Sequence, residues 1–431
     1  MVVAHLLRGM LGMVVWVGLG YLLSRNRQAI NWRTIAIGLL LQLLFALAVL
    51  EAPVVQSGIA SISTFFVRLL DFAQEGARFL FGPLVDEEGI GYIFAFQVLP
   101  SILFFSALTS VLFYLNILQT VVRGFAWLMS RSMKISGAES LSAAANVFIG
   151  QTEAPLLVKP YIQNMTRSEV MALMSGGMAT IAGGVLAAFV GFLGGDSEAS
   201  RTLFASHLIS ASVMSAPASL VMAKLLFPET EPIRYQLRIS RQEVGANLLD
   251  AVTNGTGQGL RLAVNVGAML LVFTALMALI NHLLGALGGL LGVNSWLNQI
   301  SEGQFQQLSV QAVLGYLFAP LAWLLGVSGK DVTQVGFLLG EKTILNEFYA
   351  YKSLSVLKAQ GGVLEAKSIL IATYALCGFA NFGSIGIQIG GIGALAPNKR
   401  TMLSQLGLWS LIAGTLACFM TATIAGMLYG S

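Results

Sequence analysis

The chain has 431 residues, of which 56% are hydrophobic and only 10% charged, with a mean hydropathy of +0.78 and a formal net charge of +4. Soluble domains carry about 25% charged residues, so an ordinary soluble protein is excluded, and so small a net charge gives nucleic acid no purchase. Several runs reach the roughly 20 apolar residues that cross a bilayer, which makes this an all-α polytopic membrane protein.

In chain order, eight crossings are expected, at 6–24, 34–54, 91–114, 167–192, 203–227, 261–289, 367–396 and 402–429. The first is read as retained, because Arg8 interrupts it and no small-residue cleavage site follows. Three stretches look amphipathic and interfacial: 56–85, 116–135 and 243–258. Two others, 137–163 and 331–354, are long enough to enter the membrane but polar at their centres. Each is expected to be a hairpin that enters and returns on one side, since irregular backbone at that depth must be surrounded by protein or water.

Lys and Arg set the orientation. Arg25, Arg27 and Arg33, then Arg123, Arg131 and Lys134, then Arg234, Arg238 and Arg241, then Lys399 and Arg400 all fall on one side. Asp86, Glu87, Glu88, Asp196 and Glu198 fall on the other, which puts both termini outside; Lys352, Lys358 and Lys367 depart from the pattern. Residues 116–227 read as interfacial helix, hairpin, glycine-broken span and span, and 308–429 read the same way. With an odd number of crossings between the hairpins the two units are inverted, the design of many secondary transporters.

The chemistry concentrates on the hairpin tips and broken spans. The first tip is Gly150-Gln151-Thr152-Glu153-Ala154-Pro155, beside a break at Ala179-Thr180-Ile181-Ala182-Gly183-Gly184-Val185. The second is Leu345-Asn346-Glu347-Phe348, beside Cys377-Gly378-Phe379-Ala380-Asn381-Phe382-Gly383-Ser384. Each unit thus offers one carboxylate and one unwound segment, and Glu153 and Glu347 are expected to approach each other near the midplane. Carboxylates inside a membrane are costly and usually functional. The plainer readings are that Asn381 and Ser384 only cap helix ends, that Phe379 is packing, that the glycines only permit close approach, and that Lys159 and Lys352 reach back to the interface. Cys377 and Cys418 sit in apolar runs and suggest no disulfide, while His5, His207 and His282 form no metal-ligating cluster. No nucleotide-binding loop or nucleophile triad is present, so the chain is read as a non-enzyme not driven by ATP.

The segments AAANVFIGQTEAPLLVKPY, GGMATIAGGVLA, LNEFYAY and ALCGFANFGSIGIQIGGIGALAP, in this order, closely resemble the bacterial branch of the concentrative nucleoside transporters. The resemblance implies a homotrimer in the bacterial inner membrane that imports nucleosides such as uridine, cytidine or adenosine by sodium symport and an elevator mechanism. It implies a scaffold domain from 1–115 and 243–307, contributing the first three spans and 261–289, and a transport domain from 116–242 and 308–431. Gly150, Gln151, Thr152, Glu153 and Val185 would hold the base; Glu347, Asn381 and Ser384 would hold the ribose, with Phe379 against the nucleoside. Sodium would be bound by Asn146, Thr180 and the carbonyls of Ile149 and Ile181, all oxygen ligands of the kind hard cations prefer. Proton coupling, for which Glu153 is the nearest candidate, and a channel-like pore remain the alternatives.

Overall fold

In the computed structural model the described residues are 2–85, 93–195, 197–233, 246–301 and 303–429. Asp86, Glu87, Glu88 and Asp196, and the basic Arg234, Arg238 and Arg241, lie outside them. The described part is helical throughout, and its elements fall into two related sets with connecting helices before and between.

The leading helices are α1 (Val2–Leu22), α2 (Trp32–Leu50), α3 (Pro53–Phe81), α4 (Phe94–Gln97) and α5 (Leu99–Tyr114). The first set is α6 (Ile117–Met133), a hairpin of α7 (Gly137–Asn146), α8 (Ala154–Leu157) and α9 (Lys159–Ile162), a broken pair α10 (Arg167–Ala179) and α11 (Gly183–Gly194), and α12 (Glu198–Leu226). Between the sets come α13 (Leu248–Leu290) and the short α14 (Val293–Ile300). The second set is α15 (Val310–Leu325), a hairpin of α16 (Val332–Ile344) and α17 (Glu347–Ala359), a broken pair α18 (Ala366–Leu376) and α19 (Phe382–Leu395), and α20 (Arg400–Leu428). The order helix, hairpin, broken span, span therefore occurs twice.

Local sequence explains where the helices start. Ser136 and Glu139 form a reciprocal capping box at α7, and Thr166 and Glu169 form another at α10; each satisfies two backbone donors that no helical carbonyl can reach. Asn346 caps α17 by accepting from Tyr349 N at 2.9 Å, and Asn381 caps α19 by accepting from Ser384 N at 2.8 Å. The prolines of the first hairpin have a similar logic. Pro155 and Pro160 each stand in the first turn of a four-residue helix, where the missing N–H costs nothing, and they divide the returning arm in two.

Among the described residues, seven helical segments are long and apolar enough to cross a membrane by length and composition. Six coincide with expected crossings; the seventh is the α3 region, which the sequence suggested would be interfacial. The two other expected crossings are α1 and the α18–α19 pair, where the break shortens each apolar helix. One boundary differs clearly from expectation. The interfacial stretch at 243–258 and the span 261–289 are not separate within the described residues: Leu248–Leu290 is a single helix of 43 residues. At about 1.5 Å per residue it is roughly twice as long as a bilayer's hydrocarbon core is thick. Gly255 and Gly259 do not interrupt it because they are its contact surface. A Cβ at either would come within 2.8 Å of the Cα of Ala107 or Leu103 on α5, the small-residue packing that draws membrane helices together.

The core runs through both sets and includes α1 and α2. Trp16 Nε1 donates to Thr423 Oγ1 on α20 at 2.9 Å. The buried Gln42 donates to Thr421 Oγ1 at 3.1 Å, and Thr421 also meets Ser215 on α12 at 3.1 Å. A buried ion pair, Lys224 with Glu139, fastens the end of α12 to the start of the first hairpin. The same ammonium donates to Ser168 Oγ at 2.8 Å at the start of α10.

Candidate functional site

The two broken spans cross at their breaks. Gly378 has φ +119, a conformation that glycine tolerates and L side chains rarely adopt. A Cβ there would lie 2.8 Å from the Met178 carbonyl oxygen and 2.7 Å from Cys418 Sγ. Cys418 Sγ in turn lies 2.6 Å from the Cys377 carbonyl and 3.5 Å from that of Ala179, so its one S–H has an acceptor at each break. The unwound segments are thus held against each other by one glycine and one thiol, leaving helix ends pointed at a shared centre.

The hairpin tips meet this crossing from either side. Glu347, on the first turn of α17 and buried, accepts from Asn381 Nδ2 at 2.7 Å. Asn381 Oδ1 is occupied by Ser384 N, which leaves its amide group nowhere to turn. From the first hairpin, Gln151 Nε2 donates to Ser384 Oγ at 3.1 Å. Gln151 Oε1 accepts from Gln388 Nε2 at 3.0 Å, and Gln388 also donates to the Met174 carbonyl at 3.0 Å. Gln151, Ser384, Asn381 and Glu347 therefore form one connected polar cluster that unites both hairpins and the second broken span.

Gln388 was not among the expected site residues. The signal was available: it is a lone glutamine in a glycine-rich apolar run, four residues after Ser384 and seven after Asn381, hence on the same helical face. Gly177 makes room for the cluster, since a Cβ there would fall 2.7 Å from Gln388 Nε2 and 2.8 Å from Gln151 Cβ.

The remaining expected residues divide into groups. Glu153 and Gly150 line a cavity whose opposite wall is Ser106, Thr109 and Ser110 of α5 and Gln258 of α13. Thr152 is exposed, with its methyl beside Gly391 of α19. Val185 is buried in the first turn of α11, and Phe379 is buried at the second break. Glu153 and Glu347 are not in direct contact among the described hydrogen bonds and ion pairs. Only Glu347 joins the cluster, through Asn381, Ser384 and Gln151; Glu153 stands two residues beyond Gln151 and faces the cavity instead.

The four expected ion ligands sit between the first tip and the first break. Asn146, Ile149, Thr180 and Ile181 are all buried. Gly183 N donates to the Phe148 carbonyl at 3.2 Å and ties the tip to the break. Asn146 Nδ2 donates to the Ser142 carbonyl at 2.9 Å, whereas Asn146 Oδ1 is buried without a hydrogen-bond partner. Thr180 Oγ1 donates to the Gly176 carbonyl at 2.9 Å, so its lone pairs stay free. A buried amide oxygen left without a donor is expensive, and a small hard cation is the kind of ligand such an oxygen accommodates.

These features define a class first: a helical membrane transporter built as an inverted repeat, with polar hairpin tips converging on two broken spans. Family models for the Na+ dependent nucleoside transporter match residues 207–426 (its C-terminus) and 11–84 (its N-terminus), and a nucleoside recognition model matches 95–196. The chain is 42% identical over 429 residues to an uncharacterized transporter of Haemophilus influenzae, covering 98% of each. It is 38% identical to human solute carrier family 28 member 3, covering 97% of this chain and 59% of that longer protein. The solved structure of CNTnw in an inward-facing substrate-bound state superposes with a TM-score of 0.89 at 40% identity, covering 100% of this chain and 98% of that one. A doubly substituted CNTnw in an outward-facing state gives 0.90 at 39%, covering 99% and 98%. The chain belongs to the concentrative nucleoside transporter family.

Proposed function

We propose that this protein imports nucleosides such as uridine, cytidine or adenosine across the bacterial inner membrane, driven by sodium. The observation that carries the reading is the polar cluster in which Glu347, Asn381, Ser384 and Gln151 converge from both hairpins and one broken span. Ribose hydroxyls are donors, and a buried carboxylate accepts from two of them. A base edge mixes donors and acceptors, which suits Gln151, Thr152 and Glu153, with Gly150 at the turn and Val185 and Phe379 against the rings. A site of this kind rejects an analogue that lacks one hydroxyl, because its own polar groups would then be unpaired.

Sodium is assigned to Asn146 Oδ1, Thr180 Oγ1 and the Ile149 and Ile181 carbonyls. The support is the orphaned Asn146 oxygen and the absence of any carboxylate among the four. The unit that moves is assigned to 116–242 and 308–431, and the stationary wall to α5 and α13, which face Glu153 across the cavity. The resemblance alone would put α1 and α2 with the scaffold. Their buried bonds to α20 favour their travelling with the moving unit instead. The assembly is assigned as a homotrimer with both termini extracytoplasmic.

The test is uptake of radiolabelled uridine, cytidine and adenosine into proteoliposomes under an imposed sodium gradient and, separately, an imposed pH gradient. Saturable accumulation that follows sodium is expected. Accumulation that follows only the pH gradient would reject sodium, and downhill flux alone would favour a channel.

A further inference from the structure

The second hairpin holds a carboxyl group that neither the substrate cluster nor the ion ligands use. Glu341 lies on α16, six residues before Glu347, and is completely buried. Both of its carboxylate oxygens lack a hydrogen-bond partner. A bare carboxylate in such a place would forfeit several kcal/mol of hydration with nothing in return.

Among the described residues it forms no ion pair. Lys342, its neighbour in sequence, is turned away and donates to the Ala375 carbonyl on α18 at 2.8 Å. From α17, the groups that face it are the Ser353 hydroxyl and the phenol of Tyr349, which is itself engaged with Thr274 on α13. From α15, packed along α16, the titratable side chain is Tyr316, exposed on the outer surface. From α18 they are Tyr374, directed at His207 at 3.3 Å, and Lys367 at the helix start, which interacts with Arg8 and Glu365. The described surroundings thus supply a hydroxyl and a phenol but no cation paired with it. A carboxyl group so placed, with no hydrogen-bond partner for either oxygen, is cheapest as the neutral acid.

We propose that Glu341 is a proton-binding site within the second hairpin, loaded when α16 and α17 are packed as here and emptied when the hairpin opens to water. The proposal rests on the transport reading above and adds to it that α16 and α17 part during the cycle. It adds a second cation to that cycle. Ionising Glu341 requires hydration, and hydration requires α16 to part from α17. By linkage, whatever closes the hairpin then takes up a proton, and a proton favours closure. The sign follows: the packed hairpin is stabilised at low pH and loses that support as pH rises through the titration of the packed state. Once past that point, one linked proton shifts the closed–open balance about tenfold per pH unit.

The experiment compares wild type with Glu341→Gln, which keeps size and polarity and imitates the neutral acid, and with Glu341→Ala. In detergent at saturating sodium, uridine binding to wild type is expected to take up protons from a weakly buffered solution, and its affinity is expected to fall as pH is raised from about 5.5 to 8.5. Glu341→Gln should bind uridine without proton uptake and with a flat pH profile. Thermal stability gives a reading independent of transport, since the wild-type Tm should drop with rising pH and that of Glu341→Gln should not. Proton uptake and pH slopes in Glu341→Gln equal to those of wild type would overturn the proposal. Should Glu341→Gln fail to fold, Glu341→Ala with a water-filled gap is read the same way. The sodium assignment stands or falls on the gradient experiment, not on these slopes.

Discussion

Asn381 and Glu347 are joined by a 2.7 Å hydrogen bond across 34 positions of sequence. The asparagine is fixed by its other end, where Oδ1 caps the helix that begins at Phe382. The carboxylate is therefore held in one orientation by the oxygen that Asn381 meets. Preorganisation of this kind spares the ordering cost that a mobile side chain would incur on binding.

Replacing Glu347 by Gln should nearly abolish nucleoside uptake while the protein still folds and inserts. The amide retains the size of the carboxylate but offers one acceptor oxygen where the proposed ribose contact uses two. Loss of a hydrogen bond to a charged group costs about 1.5–3 kcal/mol, or roughly tenfold to over a hundredfold in affinity. Calorimetric titration with uridine checks this, and wild-type affinity in the variant would remove the ribose role. A 2′-deoxynucleoside should bind wild type more weakly than its ribo form by a similar margin.

At the proposed ion ligands, Asn146→Ala and Thr180→Ala should each raise the sodium concentration required for half-maximal uptake, leaving uptake at saturating sodium less affected. The reason is the loss of a single oxygen from a four-oxygen set. The alternative, that Asn146 only supports the end of α7 through Ser142, predicts lower stability with an unchanged sodium dependence. Sodium titrations of initial rate, taken with thermal melts, separate the two.

The Lys224–Glu139 pair makes a stability prediction. Lys224→Met strands Glu139, which is fully buried, without its cation. Removing one partner of a buried pair costs about 3–5 kcal/mol. The Tm should fall sharply, and the double variant Lys224→Met/Glu139→Gln should regain much of the loss because no uncompensated charge is left. A double variant as unstable as the single one would show that Lys224 acts chiefly through Ser168.

The buried bond from Gln42 to Thr421 bears on which helices move. If α2 travels with α20, cysteines placed at these two positions and bridged with a short thiol cross-linker should leave uptake within about twofold of the uncross-linked protein, an effect below 1 kcal/mol. Loss of transport on cross-linking, restored by reduction, would instead assign α2 to the stationary part.

Sequence alone settled what depends on composition and local chemistry. Apolar runs of bilayer length fixed the membrane class. Polar residues next to Gly and Pro fixed the hairpin tips and breaks, because only such residues make irregular backbone tenable at depth. Glu153, Glu347, Asn381 and Ser384 stood out for the same reason: each is a polar group that an apolar span has no other cause to carry. Tertiary structure decided what depends on partners far away in sequence. Gln388 belongs to the cluster because Gly177, more than 200 residues earlier, leaves space for it. The helix from Leu248 to Leu290 runs unbroken because α5 accepts Gly255 and Gly259 at close range. The need of Gly378 for its unusual backbone comes from Met178 and Cys418. Whether Glu341 has a counter-ion was likewise beyond the sequence, for Lys342 stands next to it in the chain and only the packing of α16 turns that lysine toward Ala375.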